Sequence, residues 1–277
     1  VNLLTRLVDE DGRAELSGDL GRSLSKRGLA LALRRKYDEA IEDYTKAIDL
    51  CSALREKGAV AETMGALAAS YGNRGLVYRG KRMYKEAIKD YTRAVEIYGG
   101  LSESEGREEF AAGLAKSLGG RGVVFRKEEK FDQSVADYTK AINIFGGLIE
   151  TKGRSELAAD LAWNLNKRAQ VWHIQGELEK AIADFSAAVE IRSKLFEQSG
   201  RAKLADALAT SVFNRGFVYY SLMRFDEAIA DFERAIAIYQ ELAASPRGRR
   251  YEFKLNKIIK NREAAIAARS RLLSSKP

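Results

Sequence analysis

Arg27, Arg74, Arg121, Arg168 and Arg215 stand 47 residues apart, and no other feature of this sequence restricts its fold so strongly. Asp43, Asp90, Asp137, Asp184 and Asp231 keep the same step, each followed by an aromatic residue: Tyr44, Tyr91, Tyr138, Phe185 and Phe232. Ala47, Ala94, Ala141, Ala188 and Ala235 form a third column, and Leu20, Leu67, Leu114, Leu161 and Leu208 a fourth. Columns sharing one register over five copies define an internal repeat, and the fold must be assembled from that unit.

Within a copy the apolar spacing is helical. Leu157, Leu161, Leu165, Ala169 and Trp172 lie at steps of four, four, four and three, which is one face of a helix. Gly176 and Glu177 interrupt the pattern, and Leu178, Ala181, Ile182, Phe185, Ala188, Val189 and Leu195 make a second stripe. Gly12, Gly106, Gly153 and Gly200 share a column suited to a helix stop. Each copy is therefore expected to be two antiparallel helices of about 20 residues, near 30 Å long. One hairpin cannot bury both stripes, so neighbours must stack into a solenoid.

The spacing of Gly216, Tyr219, Ala228, Phe232 and Ala235 resembles the signature of the tetratricopeptide repeat (TPR) family. Gly75, Tyr78, Ala87, Tyr91 and Ala94 repeat it, as do Gly122, Phe125, Ser134, Tyr138 and Ala141, and Gly28, Leu31, Ala40, Tyr44 and Ala47. The fourth copy departs most, with Ala169 and Trp172 in place of glycine and tyrosine. The repeat is also longer than the family's usual unit of 34 residues, and the usual closing proline is missing. The resemblance implies an all-α, right-handed solenoid with long helices. The Arg and Asp columns then read as a structural ladder, because a partly buried guanidinium needs a partner.

The expected organisation is a repeat array over residues 1–246, with a partial leading unit at 1–12 and five units after it, then a basic capping helix and tail at 247–277. Leu7 aligns with Leu54, Leu101, Leu148 and Leu195, so the chain reads as a piece of a longer protein that opens inside a second helix. Leu255, Asn261 and Arg262 align with Leu208, Asn214 and Arg215, but Glu263 replaces the packing glycine.

The formal charge of +8 resides in the tail. From Arg247 onward there are ten Lys/Arg and two Glu, which leaves 37 basic and 37 acidic residues in the body. Nucleic acid is therefore not the first expectation, although the basic helix keeps it as an alternative. A further alternative is a sensor array controlling an effector domain absent from this chain. No stretch is long and apolar enough to suggest a membrane span, the first residues lack the shape of a signal peptide, and a single cysteine favours a reducing, cytoplasmic setting. His173 is the lone histidine, so neither a His-based metal cluster nor a repeated acid–base pair is expected. Cys51 occupies a column that holds Tyr98, Phe145 and Tyr239, and reads as a core thiol. No cofactor and no catalysis are expected.

The resemblance places a binding groove on the first helices. In this sequence it points to Asn73 and Arg79, with Gly72 and Leu76; to Lys116 and Arg126, with Gly119, Gly120 and Val123; to Trp163, Asn166, Lys167, Gln170 and His173; and to Phe213, Asn214, Phe217 and Tyr220. These residues are off the expected packing stripe. The competing reading is that Phe213 and Phe217 pack only against neighbouring first helices. The expected partner is a protein or peptide with an apolar anchor and acidic residues, held near copies three to five.

Overall fold

A computed structural model describes residues 1–13, 16–56, 58, 61–104, 107–199, 202–246 and 248–274. Among them there is no β-strand. The α-helices are α1 (Asn2–Asp9), α2 (Ser17–Leu33), α3 (Tyr37–Glu56), α4 (Ala61–Gly80), α5 (Tyr84–Gly99), α6 (Ala111–Lys127), α7 (Phe131–Lys152), α8 (Ala158–Ile174), α9 (Leu178–Ser199), α10 (Ala202–Ser221), α11 (Phe225–Ala243) and α12 (Glu252–Ser274). A π-helical turn, Gly100–Ser104, and a 3-10 turn, Glu108–Phe110, join α5 to α6.

Contacts divide the chain into two compact units, Val1–Ile144 and Phe145–Pro277. In the first, α2, α3, α4, α5 and α6 pack successively, each on the next. In the second, α8 to α12 do the same. Each unit is thus a stack of helix hairpins, the all-α architecture expected of a TPR-like solenoid.

The hairpin turn explains the register. First helices end at Leu33, Gly80, Lys127, Ile174 and Ser221, and second helices begin at Tyr37, Tyr84, Phe131, Leu178 and Phe225. In every turn one residue is left-handed: Arg35 (φ 61°), Arg82 (61°), Glu129 (58°), Gly176 (79°) and Met223 (58°). The next amide bonds back across the turn in each case, Lys36 N to Leu31 O at 3.0 Å, and Met83, Lys130, Glu177 and Arg224 to Tyr78, Phe125, Trp172 and Tyr219 at 2.9 Å. This satisfies carbonyls that a helix end leaves open. The opposite ends vary, since first helices start at Ser17, Ala61, Ala111, Ala158 and Ala202. Gly153 is left-handed and follows α7 as a stop (φ 64°); Gly106 and Gly200 of the same column lie outside the described residues.

The columns pack as their chemistry requires. Ala47, Ala94, Ala141, Ala188 and Ala235 are fully buried, as is the aromatic column from Tyr44 to Phe232. A side chain at Gly28 or Gly122 would begin 3.0 Å from the ring of Tyr44 or Tyr138, so glycine sets how close the two helices of a hairpin lie. Cys51 is buried, and burial pushes its thiol pKa up. The basic helix α12 packs on α11, with Tyr251, Ile258 and Ala265 buried.

The ladder is present in all five copies. Nε and Nη2 of Arg27, Arg74, Arg121, Arg168 and Arg215 each donate to the two carboxylate oxygens of Asp43, Asp90, Asp137, Asp184 and Asp231 at 2.6–2.9 Å. Nη1 also reaches the preceding second helix, from Arg74 to Thr45 Oγ1, Arg121 to Thr92 Oγ1 and Arg215 to Ser186 Oγ. One guanidinium therefore ties its own hairpin together and binds it to the hairpin before.

Candidate functional site

In the first unit the first-helix faces of α2 and α4 enclose an open cleft of about 590 Å³. Arg22, Lys26 and Leu29 of α2 face Gly65, Ala69 and Asn73 of α4, and Arg107, Glu109 and Phe110 close one end. The end wall is fixed by packing and charge. Phe110 lies on Gly65 so closely that a β-carbon there would fall 2.3 Å from the ring. Arg107 donates to Glu62 of α4 at 2.9 Å and to Glu109 at 2.5 Å, and its guanidinium lies 5.4 Å over the Phe110 ring. Both Glu62 and Glu109 are held below the usual carboxylate range: the first by a backbone hydrogen bond and then Arg107, the second by Arg107 and then the backbone. The mouth keeps Lys26, and Arg22 is paired with Asp19 at 2.5 Å.

Of the groove residues expected in this unit, Asn73 lines the cleft. Lys116 is exposed, whereas Arg79 and Arg126 are half-buried. The Arg126 side chain runs inward, and its Nε is buried without a hydrogen-bond partner. Arg22, Lys26 and Leu29 occupy the same columns as Lys116, Asn73 and Leu76, in the copy ahead of those in which the groove is expected.

In the second unit α8 and α10 bring aromatic rings together. His173 meets Phe217 edge to face at 5.7 Å, Phe217 stacks with Tyr220 at 6.5 Å, and Phe213 lies 6.5 Å from Phe217. Phe217 remains 39% exposed. Burial lowers the His173 pKa, which favours the neutral imidazole. Lys167 lies over Trp163 at 5.6 Å, and Lys257 of α12 lies over Phe213 at 5.5 Å. Asn214 is half-buried.

Two residues sit deeper than their spacing suggested. Phe213 packs on the buried cluster of α10 and α11, 5.7 Å from Phe232 on the second helix of its own hairpin. Asn166 is buried, and its Nδ2 donates to Ser211 Oγ at 2.7 Å while its Oδ1 accepts from Gln170 at 3.1 Å. It is not an open surface contact, because a first helix also buries the flank that meets the next first helix.

Arg192 of α9 is a feature the sequence reading passed over. It is 8% exposed in the column that elsewhere holds Cys51, Tyr98, Phe145 and Tyr239. Its Nη1 donates to the Ala207 carbonyl at 2.8 Å and to Ser211 Oγ, the oxygen that Asn166 also reaches. Burial pulls its pKa down to about 10, against a partial opposing effect of Asp206. One oxygen of that carboxylate, Oδ1, accepts from Tyr239 Oη at 2.8 Å and from Lys254 Nζ at 2.5 Å. A charged residue in an otherwise packing column was the available signal.

Tetratricopeptide repeat models match residues 19–99 and 210–242. No curated protein sequence matches the chain. Among solved structures, BtubC (BKLC) from P. vanneervenii is 21% identical, with a TM-score of 0.69 and 88% of each chain covered. The apo form of RapI is 17% identical, with a TM-score of 0.66, over 99% of this chain and 71% of that one. At these identities the likeness shows the fold, and the repeat models agree with it. Residues 19–99 and 210–242 of the chain thus carry tetratricopeptide repeats.

Proposed function

We propose that the chain is a non-catalytic scaffold that binds a protein or peptide segment along its first-helix faces. The observation that carries this reading is the run of rings His173, Phe217 and Tyr220 on α8 and α10, with Phe217 substantially open to solvent. Apolar rings held on rigid helices and left partly uncovered are what an interface anchor needs. Basic groups in the same unit, Lys167 over Trp163 and Lys257 over Phe213, suit a partner with acidic residues flanking an apolar anchor. In the first unit, Asn73 and the half-buried Arg126 stand on the first helices α4 and α6.

The test is selection of binders from a displayed peptide library, followed by replacement of Phe217 and Tyr220 together by Ala. Binding should be lost while helical content and melting temperature stay close to those of the parent. Unfolding of the double variant would mean that the rings are core. Unchanged binding, with loss on reversing the charges of α12, would move the site to the basic helix. Binding that collapses steeply with salt would point the same way, toward nucleic acid.

A further inference from the structure

The geometry points to Arg192 as an oxyanion-binding residue set between α8 and α10, which takes a carboxylate or phosphate of a bound partner. The column it occupies is otherwise a packing column, where Tyr98, Phe145 and Tyr239 fill space between hairpins. An arginine there gives up that packing and carries a charge into the interior. The ladder arginines, by contrast, are each neutralised by a fork to an aspartate. Arg192 has no such fork. Its Nη1 uses one carbonyl and one hydroxyl, and Nε and Nη2 make no hydrogen bond among the described residues. No hydrogen bond or ion pair joins Arg192 to the nearby Asp206, whose Oδ1 accepts from Tyr239 and Lys254.

A guanidinium largely withdrawn from water with no anion bonded to it is costly, and an oxyanion accepting two parallel N–H bonds from Nε and Nη2, which still meet solvent, removes that cost. The position is connected to the proposed binding face. Ser211 Oγ accepts from both Arg192 and Asn166, and Asn166 accepts from Gln170, so the guanidinium lies at the end of a hydrogen-bonded chain that starts in the groove. As the recognition element for a partner's acidic group, Arg192 rests on the groove reading above. As an oxyanion site it stands on its own geometry.

The experiment compares the parent chain with Arg192→Met and Arg192→Lys by thermal unfolding. Sodium acetate or sodium phosphate is titrated against sodium chloride at constant ionic strength. The parent should gain about 3 °C in a saturable manner with acetate, phosphate or both. A response to acetate alone assigns a carboxylate, and a response to phosphate alone assigns a phosphoryl group. Arg192→Met keeps the volume without the charge, so it should melt higher in chloride and lose the saturable part. Arg192→Lys should keep less than half of it, because an ammonium cannot offer the fork. An equal saturable rise in Arg192→Met, or none in the parent, overturns the proposal. Should Arg192→Met fail to fold, broadening of the phosphate 31P resonance by the parent and by Arg192→Lys decides, with equal broadening counting against it. Peptide binding unchanged in the Phe217/Tyr220 double variant, with the anion response of the parent intact, would sink the groove reading and spare this site. Loss of peptide binding in that variant with no anion response in the parent would do the opposite.

Discussion

Asp137 is buried, and both its oxygens are taken by Arg121, whose third nitrogen bonds Thr92 of the hairpin before. Arg121→Ala would leave the carboxylate without its donors, so the first unit should lose roughly 1–3 kcal/mol. An unchanged denaturation midpoint would show that the ladder does not hold the hairpins. These pairs were legible in the sequence because both partners recur in every copy, and a recurring charge that borders an apolar stripe needs a recurring counter-charge. Arg192 was not legible by the same means. It occurs once, and reading by column attends to what repeats and lets a single departure pass.

A first helix presents two kinds of face, one to its own second helix and one to the groove, and the flank between them meets the next first helix. Spacing sets Phe217, Tyr220, Gln170 and His173 off the packing stripe, and the family resemblance is what implies a groove there. Spacing does not resolve the flank, where Asn166 is buried against Ser211 of the next first helix. The cleft in the first unit was illegible for a different reason. Its end wall comes from the connection ahead of α6, where Phe110 folds onto Gly65, and connections do not share the register of the helices. Gly65→Ala should therefore push Phe110 outward, open the cleft and lower stability by about 1–3 kcal/mol. A crystal structure of the variant with Phe110 unmoved would refute that account.

At the scale of the whole molecule, buried tyrosines link the array to pH. Desolvation raises the phenol pKa of Tyr44 and Tyr98 to about 12 and also raises those of Tyr91, Tyr138 and Tyr239. Folded values above the unfolded value of about 10 mean that the folded state disfavours ionisation. The stability these groups contribute is whole below about pH 10 and drains away as the pH rises through about 12. Melting temperatures measured from about pH 8 upward should hold level and then fall across that window. A flat profile would place the phenols in contact with water. Since tyrosines of this kind occur in both units, both should soften over the same range.

The turn between the two helices of each copy needs a residue in the left-handed region, yet Arg35, Arg82, Glu129 and Met223 stand where only the fourth copy has Gly176. A side chain in that conformation costs about 1 kcal/mol that glycine would not. Gly at these four positions should each raise stability by about 0.5–1 kcal/mol, with the gains adding because repeats contribute almost independently. The hairpins thus hold unclaimed rigidity at their tips, away from the first-helix faces, so selection for a tougher array could proceed without disturbing what the array recognises.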